Sequence, residues 1–327
     1  MKLEPVTHEF VCSVLPTTAC HASTILPLED GRVLCAWFGG SAEGNRDVDI
    51  WVSGRERGIW TQPVKISAGN EPHWNPVLWQ KNADVIGLFF KVGMTIAHWR
   101  TFYCESRDGG KMWDVPREMI AGDTSGGRGP VRNKILKTAS GRILAPCSTE
   151  DGSWIAYIDR SEDGGSTWTR SEPIQIQFSD VEKDEKYFHR GVIQPTLWES
   201  PEGQIHMLLR STEGFIYRSD STDDGIHWCD PYSTSFPNNN SGIDLDRLND
   251  GTLALVCNPV QGNGGARTPI SMFLSDNDGF SWEKYMDLDT GEGEFSYPAV
   301  VRKGSELFVS YTWKRKNIAF WQFHLTM

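Results

Sequence analysis

The stretch SEDGGSTW, Ser161–Trp168, decides the fold because it recurs along the chain. Three further copies fit the pattern S-x-[DN]-x-G-x-x-W: SRDGGKMW (Ser106–Trp113), STDDGIHW (Ser221–Trp228) and SDNDGFSW (Ser275–Trp282). A fifth copy, SGRERGIW (Ser53–Trp60), keeps the serine and the tryptophan but has lost the acid. The serines lie 53 to 60 residues apart, which is close to the length of a four-stranded propeller blade. These copies predict at least five blades.

A second repeat is independent of the first. Six turns each open an apolar or alternating strand: DGRVLCAWF at Asp30, ADVIGLFFK at Ala83, SGRILAPCS at Ser140, EGQIHMLLR at Glu202, DGTLALVCN at Asp250 and KGSELFVSY at Lys303. Only one more strand, NIAFWQFHLTM, follows the sixth turn, so we expect THEFVCSVLP near the N-terminus to supply the missing outer strand. The sequence therefore predicts one all-β domain over residues 1–327, a six-bladed β-propeller of four-stranded antiparallel blades closed by the N- and C-terminal strands.

Composition narrows the functional classes. A formal net charge of -11 disfavours nucleic acid and anionic membranes as partners, and no stretch is long and apolar enough for a membrane span. The N-terminal residues lack the apolar core of a secretory peptide, which favours a cytoplasmic location. Seven scattered cysteines without C-x-x-C spacing indicate reduced thiols, and neither a metal site nor a cofactor is predicted. The acidic and basic run EKDEK at Glu182 is expected to be a solvated loop, and the oligomeric state stays open.

We call each copy of the S-x-[DN]-x-G-x-x-W stretch a box. The acids of the boxes are expected to be structural, because their side chains suit turn amides and a catalytic group is not repeated once per blade. In an antiparallel blade the boxes share a face with the turns between the first and second strands. The opposite face then carries the start of each first strand and the end of each second strand. The first strands contribute His21, Asn75, Arg132, Lys134, Gln194, Asp244 and Tyr297, and the second strands contribute Lys91 and Arg210. We expect the site among these polar residues, since polar groups inside a fold need partners.

Boxes at blade spacing, taken over nearly the whole chain, resemble the sialidase (neuraminidase) superfamily of six-bladed propellers. Sialidases hold a substrate carboxylate with three arginines, and they use a tyrosine nucleophile assisted by a glutamate and an acid from a blade-one loop. By this resemblance Tyr297 matches the nucleophile, and Arg210 and Arg267 match two of the arginines. Glu43 or Asp47, in the blade-one loop, matches the acid.

Two residues depart from the sialidase pattern. His21 stands where the first arginine is expected, and Gln194 stands where the assisting glutamate is expected. Glutamine cannot accept the tyrosine proton as a carboxylate does. The remaining basic residues still favour an anionic sugar; they are Arg210, Arg267, Lys91 and His21, with Arg132 or Lys134.

Three functions fit these residues. The leading one is an exo-acting glycosidase that removes sialic acid or another carboxylated sugar from a small acidic glycan. The second is a lyase for a uronate-linked saccharide, in which Tyr297 or His21 abstracts a proton while Gln194, Asn75 or Arg210 neutralises the carboxylate. The third is a carbohydrate-binding propeller without catalysis.

Overall fold

The structure, a computed structural model, describes residues 2–178 and 189–326, so the run EKDEK at Glu182 lies outside the described residues. Strand β1 (Lys2–Phe10) precedes the first blade. Blade one contains β2 (Ala19–Pro27), β3 (Val33–Gly40) and β4 (Asp49–Glu56), with an outer edge in two pieces, β5 (Ile59–Trp60) and β6 (Val64–Ile66). Blade two contains β7 (His73–Gln80), β8 (Ile86–Val92), β9 (Arg100–Ser106) and β10 (Arg117–Glu118), with a 3-10 turn at Ile96–His98.

The remaining blades repeat this antiparallel order. Blade three contains β11 (Leu136–Lys137), β12 (Ile143–Asp151), β13 (Ser153–Ser161) and β14 (Thr169–Arg170). Blade four contains β15 (Val192–Glu199), β16 (Ile205–Ser211), β17 (Phe215–Ser221) and β18 (Tyr232–Pro237). Blade five contains β19 (Asp244–Arg247), β20 (Leu253–Cys257), β21 (Ile270–Ser275) and β22 (Glu283–Asp289). Blade six contains β23 (Phe295–Lys303), β24 (Glu306–Trp313) and β25 (Asn317–Thr326).

The two ends of the chain close the ring, which confirms the six-bladed propeller. Strand β1 pairs antiparallel with β25 from Lys2 opposite Thr326 to Phe10 opposite Ala319. The predicted strand THEFVCSVLP was placed too far along the chain, because pairing ends at Phe10. Val11 and Cys12 are instead buried in the cluster around Trp37. The backbone N–H of Val11 still donates to the carbonyl of Ile318 at 2.9 Å, so the chain leaves the blade edge only after these residues.

The core lies between the blades. Alternate side chains of a strand point to opposite faces of its sheet, and both faces of a blade are covered by neighbours, so the central strands are apolar throughout. All eight residues of β3 are buried, and Leu34 and Phe38 from this strand join Leu88 and Phe90 from β8 in one cluster. All seven cysteines are free thiols, and all except Cys229 are buried.

The acidic boxes fasten turns. In the third blade Asp163 accepts hydrogen bonds from the backbone N–H groups of Ser166 and Thr167 at 3.0 and 2.9 Å, and Ser161 Oγ accepts one from Gly165 at 2.8 Å. The Trp168 indole donates to the Gly165 carbonyl at 3.1 Å. The carboxylate is committed to its own turn, which confirms the structural role.

Contacts between blades show which turns share a face. Arg32, in the first turn of blade one, donates to the carbonyl of Gly109, in the box of blade two. Arg142 in blade three does the same to the carbonyl of Asp224 in the box of blade four. The boxes and first turns therefore lie on one face, as predicted, and the starts of the first strands meet on the other.

Candidate active site

A repeated backbone feature shapes the centre of the opposite face. Near the start of five first strands one residue has a left-handed backbone, with φ of 54° at Ala22, 45° at Asn75, 82° at Arg132, 54° at Gln194 and 55° at Tyr297. In all of these blades except the third, the pairing register also slips at this residue, which marks a β-bulge. Left-handed backbone is uncommon for residues other than glycine and concentrates at functional sites. Three of these left-handed residues, Arg132, Gln194 and Tyr297, belong to one group of contacts.

Tyr297 lies at the centre of this group. The guanidinium carbons of Arg132, Arg210 and Arg267 lie 5.3, 5.7 and 5.4 Å from the centroid of its ring. The ring of His21 lies 4.2 Å away, centroid to centroid. Arg210 Nη1 donates a hydrogen bond to Tyr297 Oη at 2.7 Å. Because the donor is a permanent cation, it stabilises any negative charge that develops on the phenol oxygen.

Arg210 is fixed from three directions. Besides Tyr297, it donates to Asn240 Oδ1 at 2.9 Å and to Gln194 Oε1 at 3.2 Å. These bonds orient the Gln194 amide, since its oxygen must face the guanidinium and its NH₂ group then points elsewhere. Gln194 therefore holds Arg210 in place, and it has no carboxylate with which to take the proton of Tyr297.

A second set of charges surrounds Glu294. Arg267 donates to its carboxylate at 2.7 Å, and Ser296 Oγ does so at 2.7 Å. Arg315 Nε donates to the same oxygen at 3.0 Å. Burial raises the pKa of Glu294, but the hydrogen bond from Ser296 and the charges of Arg267 and Arg315 outweigh it, and the net shift is downward. Glu294 is therefore ionised and holds two arginines side by side.

Arg315 was not among the sequence candidates. It lies in the turn between β24 and β25, with φ of 56°, and it also contacts Glu43 at 2.5 Å. Burial lowers its pKa, but Glu43 and Glu294 outweigh that effect and raise it. Its position just after the end of a second strand is the one signal in the sequence that pointed to this face.

His21 does not contribute a charge. Burial, reinforced by the nearby positive charges of Arg315, Arg267, Arg132 and Arg210, holds the pKa of His21 well below its usual value. The imidazole is therefore neutral near pH 7. Positive charge comes to this side of the site from Arg315, which belongs to a different blade from His21.

The two acid candidates differ in their contacts. Glu43 reaches the arginines, since its carboxylate pairs with Arg315. Asp47 accepts hydrogen bonds from the backbone N–H and the hydroxyl of Ser41 at 2.9 and 2.8 Å, within its own exposed loop. Glu43 is thus the acid that the structure places beside the arginines.

Four other candidates lie outside the contacts around Tyr297. The buried Lys91 amine donates to Thr101 Oγ1 at 2.7 Å and to the carbonyl of Arg128, and burial lowers its pKa to about 8. Lys134 pairs with Asp244 at 3.1 Å, and Thr196 also donates to Asp244 at 2.6 Å. Asn75 occupies the bulge of blade two.

Arg132, in contrast, reaches the tyrosine. It is buried, donates to the carbonyls of Ser23 and Pro298, and faces the ring of Tyr297. Burial lowers its pKa to about 10, so it still carries a positive charge at pH 7. We define the arginine cluster as Arg132, Arg210, Arg267 and Arg315. Its four positive charges exceed the negative charge of Glu294 and Glu43 by at least two, whether Glu43 is ionised or protonated, which favours an anionic ligand.

The model of the BNR repeat-like domain matches residues 31–309. The chain belongs to this family. Several of the solved structures similar to it in fold are sialidases. Comparison with curated proteins gives no match for this chain.

Solved structures agree with the family in fold. A Dyadobacter fermentans protein of unknown function has a TM-score of 0.79 and 16% identity over 99% of each chain. The Trypanosoma rangeli sialidase in complex with the inhibitor DANA has a TM-score of 0.70 and 14% identity, with 94% of this chain but 55% of that one covered. The intramolecular trans-sialidase from Ruminococcus gnavus has a TM-score of 0.69 and 13% identity over 94% and 95% of the two chains. This chain thus spans about half of the trypanosomal enzyme, and these identities show the fold alone.

Within residues 2–178 and 189–326, the structure contains no group of three or more His, Cys, Asp or Glu side chains that could hold a metal ion. Over the same residues, none of the helices is long and apolar enough to cross a membrane.

Proposed function

We propose that the protein is an exo-acting glycoside hydrolase that removes a carboxylated sugar, sialic acid or a related acid, from a small oligosaccharide. The observation that carries this proposal is the hydrogen bond from Arg210 to Tyr297 Oη inside a cluster with excess positive charge. A phenol activated by an arginine suits attack on an anomeric carbon, and the surrounding guanidinium groups suit a carboxylate. The similar solved structures that are sialidases support the same assignment.

Each residue then has a distinct role. Arg267 and Arg315, held together by Glu294, bind the sugar carboxylate with Arg210. Tyr297 Oη forms a bond to the anomeric carbon while the glycosidic C–O bond breaks, and Glu43 donates a proton to the leaving oxygen. Gln194 cannot take the phenol proton, so that proton passes to solvent and Arg210 stabilises the phenolate. Water then attacks the anomeric carbon, the bond from that carbon to Tyr297 Oη breaks, and the proton of the water passes to the Glu43 carboxylate, which restores the acid.

The elimination alternative rests on a base next to the substrate. His21 fits that role poorly, because an imidazole with a strongly lowered pKa is a weak base near pH 7. Tyr297 remains as the base for elimination, and elimination would give an unsaturated product that absorbs in the ultraviolet. Hydrolysis gives no such product.

The test is a turnover assay with fluorogenic α-glycosides of N-acetylneuraminic acid and β-glycosides of glucuronic acid. Released fluorophore with no new ultraviolet absorbance in the sugar product supports hydrolysis. An unsaturated sugar product supports elimination. Binding of the free sugar acids without turnover of any glycoside supports the non-catalytic alternative and refutes the proposed function.

A further inference from the structure

Two arginines of the cluster come from neighbouring blades. Arg210 lies in β16 of blade four, and Arg267 precedes β21 of blade five. Their guanidinium carbons lie 5.7 and 5.4 Å from the ring centroid of Tyr297. Ordering a flexible arginine on binding costs affinity, so two guanidinium groups bind one carboxylate best when the protein already holds them at the right separation. The connection between the two blades, residues 238–243, contributes a contact to each side of this pair.

Asn240, in that connection, holds the side chain of Arg210. Its Oδ1 accepts a hydrogen bond from Arg210 Nε at 2.9 Å, and its Nδ2 donates to Asn263 Oδ1 at 2.8 Å. Asn240 is buried and has φ of 58°, a left-handed backbone that asparagine adopts more readily than most residues. Asn240 thereby ties Arg210 to the loop of blade five between β20 and β21, residues 258–267.

Asn239 holds the same loop just before Arg267. Its Nδ2 donates to the carbonyls of Gly265 and Ala266 at 3.2 and 2.6 Å, and its own carbonyl accepts from the backbone N–H of Gly264 at 3.1 Å. Glycine has more conformational freedom to lose on folding than any other residue, so a loop that contains neighbouring glycines needs such bonds to adopt one conformation. Asn239 therefore fixes the backbone that leads into Arg267.

The two asparagines are adjacent in the chain. One planar peptide group, with a fixed distance of about 3.8 Å between its Cα atoms, joins the residue that holds Arg210 to the residue that holds the loop before Arg267. We propose that Asn239 and Asn240 are positioning residues, which fix the separation of Arg210 and Arg267 and so set the affinity of the site for the carboxylate of the sugar. This inference rests on the proposed function.

Binding of free N-acetylneuraminic acid to the full chain, measured by calorimetry, tests the proposal. Asn240→Gly removes the side chain but keeps the left-handed backbone, and Asn239→Ala removes the bonds to the loop. Each should weaken binding by about 5- to 10-fold, the cost of ordering one long side chain on binding. If Asn239 acts through Arg267, then Asn239→Ala should change Kd by less than about twofold in a protein that already carries Arg267→Ala.

Kinetics with the fluorogenic glycoside separate positioning from a general loss of folded protein. Asn239→Ala should raise KM about 5- to 10-fold and leave kcat within about twofold, because it acts on carboxylate binding. Asn240→Gly should also lower kcat, since Arg210 donates to Tyr297 Oη. A smaller folded fraction would instead lower the apparent kcat of both variants and leave KM unchanged.

A further variant guards against failure to fold. Asn263 is exposed, so Asn263→Ala should fold as the wild type does. It removes the partner of Asn240 Nδ2 but leaves the bond from Arg210 to Asn240 Oδ1 in place. We expect a rise in KM of about two- to threefold, smaller than that of Asn240→Gly.

Asn249→Gly is the matched control. Asn249 Oδ1 accepts from Arg302 Nη1 at 2.7 Å and its Nδ2 donates to the carbonyl of Gly304 at 2.9 Å, but it lies in the first turn of blade five, on the face of the boxes. This variant should leave Kd and KM unchanged.

The outcomes distinguish this inference from the proposed function. Wild-type affinity in both Asn239→Ala and Asn240→Gly would overturn the inference alone, and so would a loss from Asn239→Ala that persisted in full beside Arg267→Ala. Failure of the wild type to bind the sugar acid would overturn the proposed function and this inference with it.

Discussion

Replacing Tyr297 by phenylalanine removes one atom from the centre of the site and tests the proposed chemistry directly. Phenylalanine keeps the ring, which packs against His21 and faces three guanidinium groups. Only the hydrogen bond from Arg210 to Oη is lost. A hydrogen bond to a charged group contributes about 1.5 to 3 kcal/mol. Arg210 retains its bonds to Asn240 and Gln194, so we expect the free energy of unfolding to fall by no more than about 3 kcal/mol.

The kinetic effect should be far larger than the effect on stability. If Tyr297 is the nucleophile, kcat should fall on the order of 10³- to 10⁶-fold, as for removal of other catalytic nucleophiles. Binding of the free sugar acid should change little, because the carboxylate is held by the arginine cluster, which the substitution leaves intact. The assay compares kcat from the fluorogenic glycoside with Kd of the free sugar and with unfolding in urea.

Tyr311 provides a matched control in the same blade. Its hydroxyl donates to Asp289 of blade five at 3.0 Å and accepts from the indole of Trp321 in blade six at 3.2 Å, and neither partner belongs to the arginine cluster. Tyr311→Phe should lower the free energy of unfolding by about 1 to 3 kcal/mol and leave kcat unchanged. A Tyr297→Phe variant that kept more than about a tenth of wild-type kcat would refute the nucleophile assignment.

Three further predictions follow from the same contacts. Gln194→Glu places a carboxylate next to Arg210 and Tyr297, and we expect kcat to rise about tenfold or more because the phenol proton gains an acceptor. Glu43→Gln should lower kcat about 100-fold through loss of the proton donor, whereas Asp47→Asn should have a much smaller effect. Hydrogen bonds from Thr167 lower the pKa of Asp163 to about 2. Burial raises the pKa of Asp223, but hydrogen bonds from His227 outweigh it, and the pKa is again about 2. We therefore expect the free energy of unfolding, followed by tryptophan fluorescence, to fall between about pH 4 and pH 2.

Each of these has a contrary outcome. A lower kcat in Gln194→Glu would mean that the amide itself is required, through its hold on Arg210. A greater loss in Asp47→Asn than in Glu43→Gln would make Asp47 the acid. In the folded protein the pKa of Asp163 and of Asp223 is about 2, below the ordinary value of 3.8. The ionised carboxylates therefore stabilise the fold above about pH 4, and this stabilisation is lost as the pH falls toward 2. Stability that stayed constant from pH 4 to pH 2 would contradict the role of the boxes.

The sequence predicted the propeller well because its fold is encoded locally and repeatedly. Each box contains its own turn, as the bonds of Asp163 and Trp168 show, and each apolar strand is covered on both faces. Counting boxes and turns was therefore enough to give the blade number and the closure. The boundary of the N-terminal strand was wrong because it depends on packing of Val11 around a distant tryptophan, which has no local signal.

The site was predicted only in part because it is assembled between blades. Tyr297, Arg210 and Gln194 were found, since each follows the blade register. Glu294 and Arg315 were missed because they are placed by their charge partners rather than by the repeat. In a linear sequence they cannot be distinguished from ordinary polar residues next to a turn.

The left-handed bulge explains why first strands were harder to read than second strands. A bulge adds one residue to a strand without changing its partner, so counting from the turn no longer gives the residue that faces the centre. His21 was taken as the blade-one member, but the bulged residue is Ala22. Gly242, beside Tyr297, shows the same crowding from the other side: a Cβ there would lie 3.2 Å from the tyrosine ring. The absence of a side chain at Gly242 in blade five thus leaves room for the tyrosine of blade six.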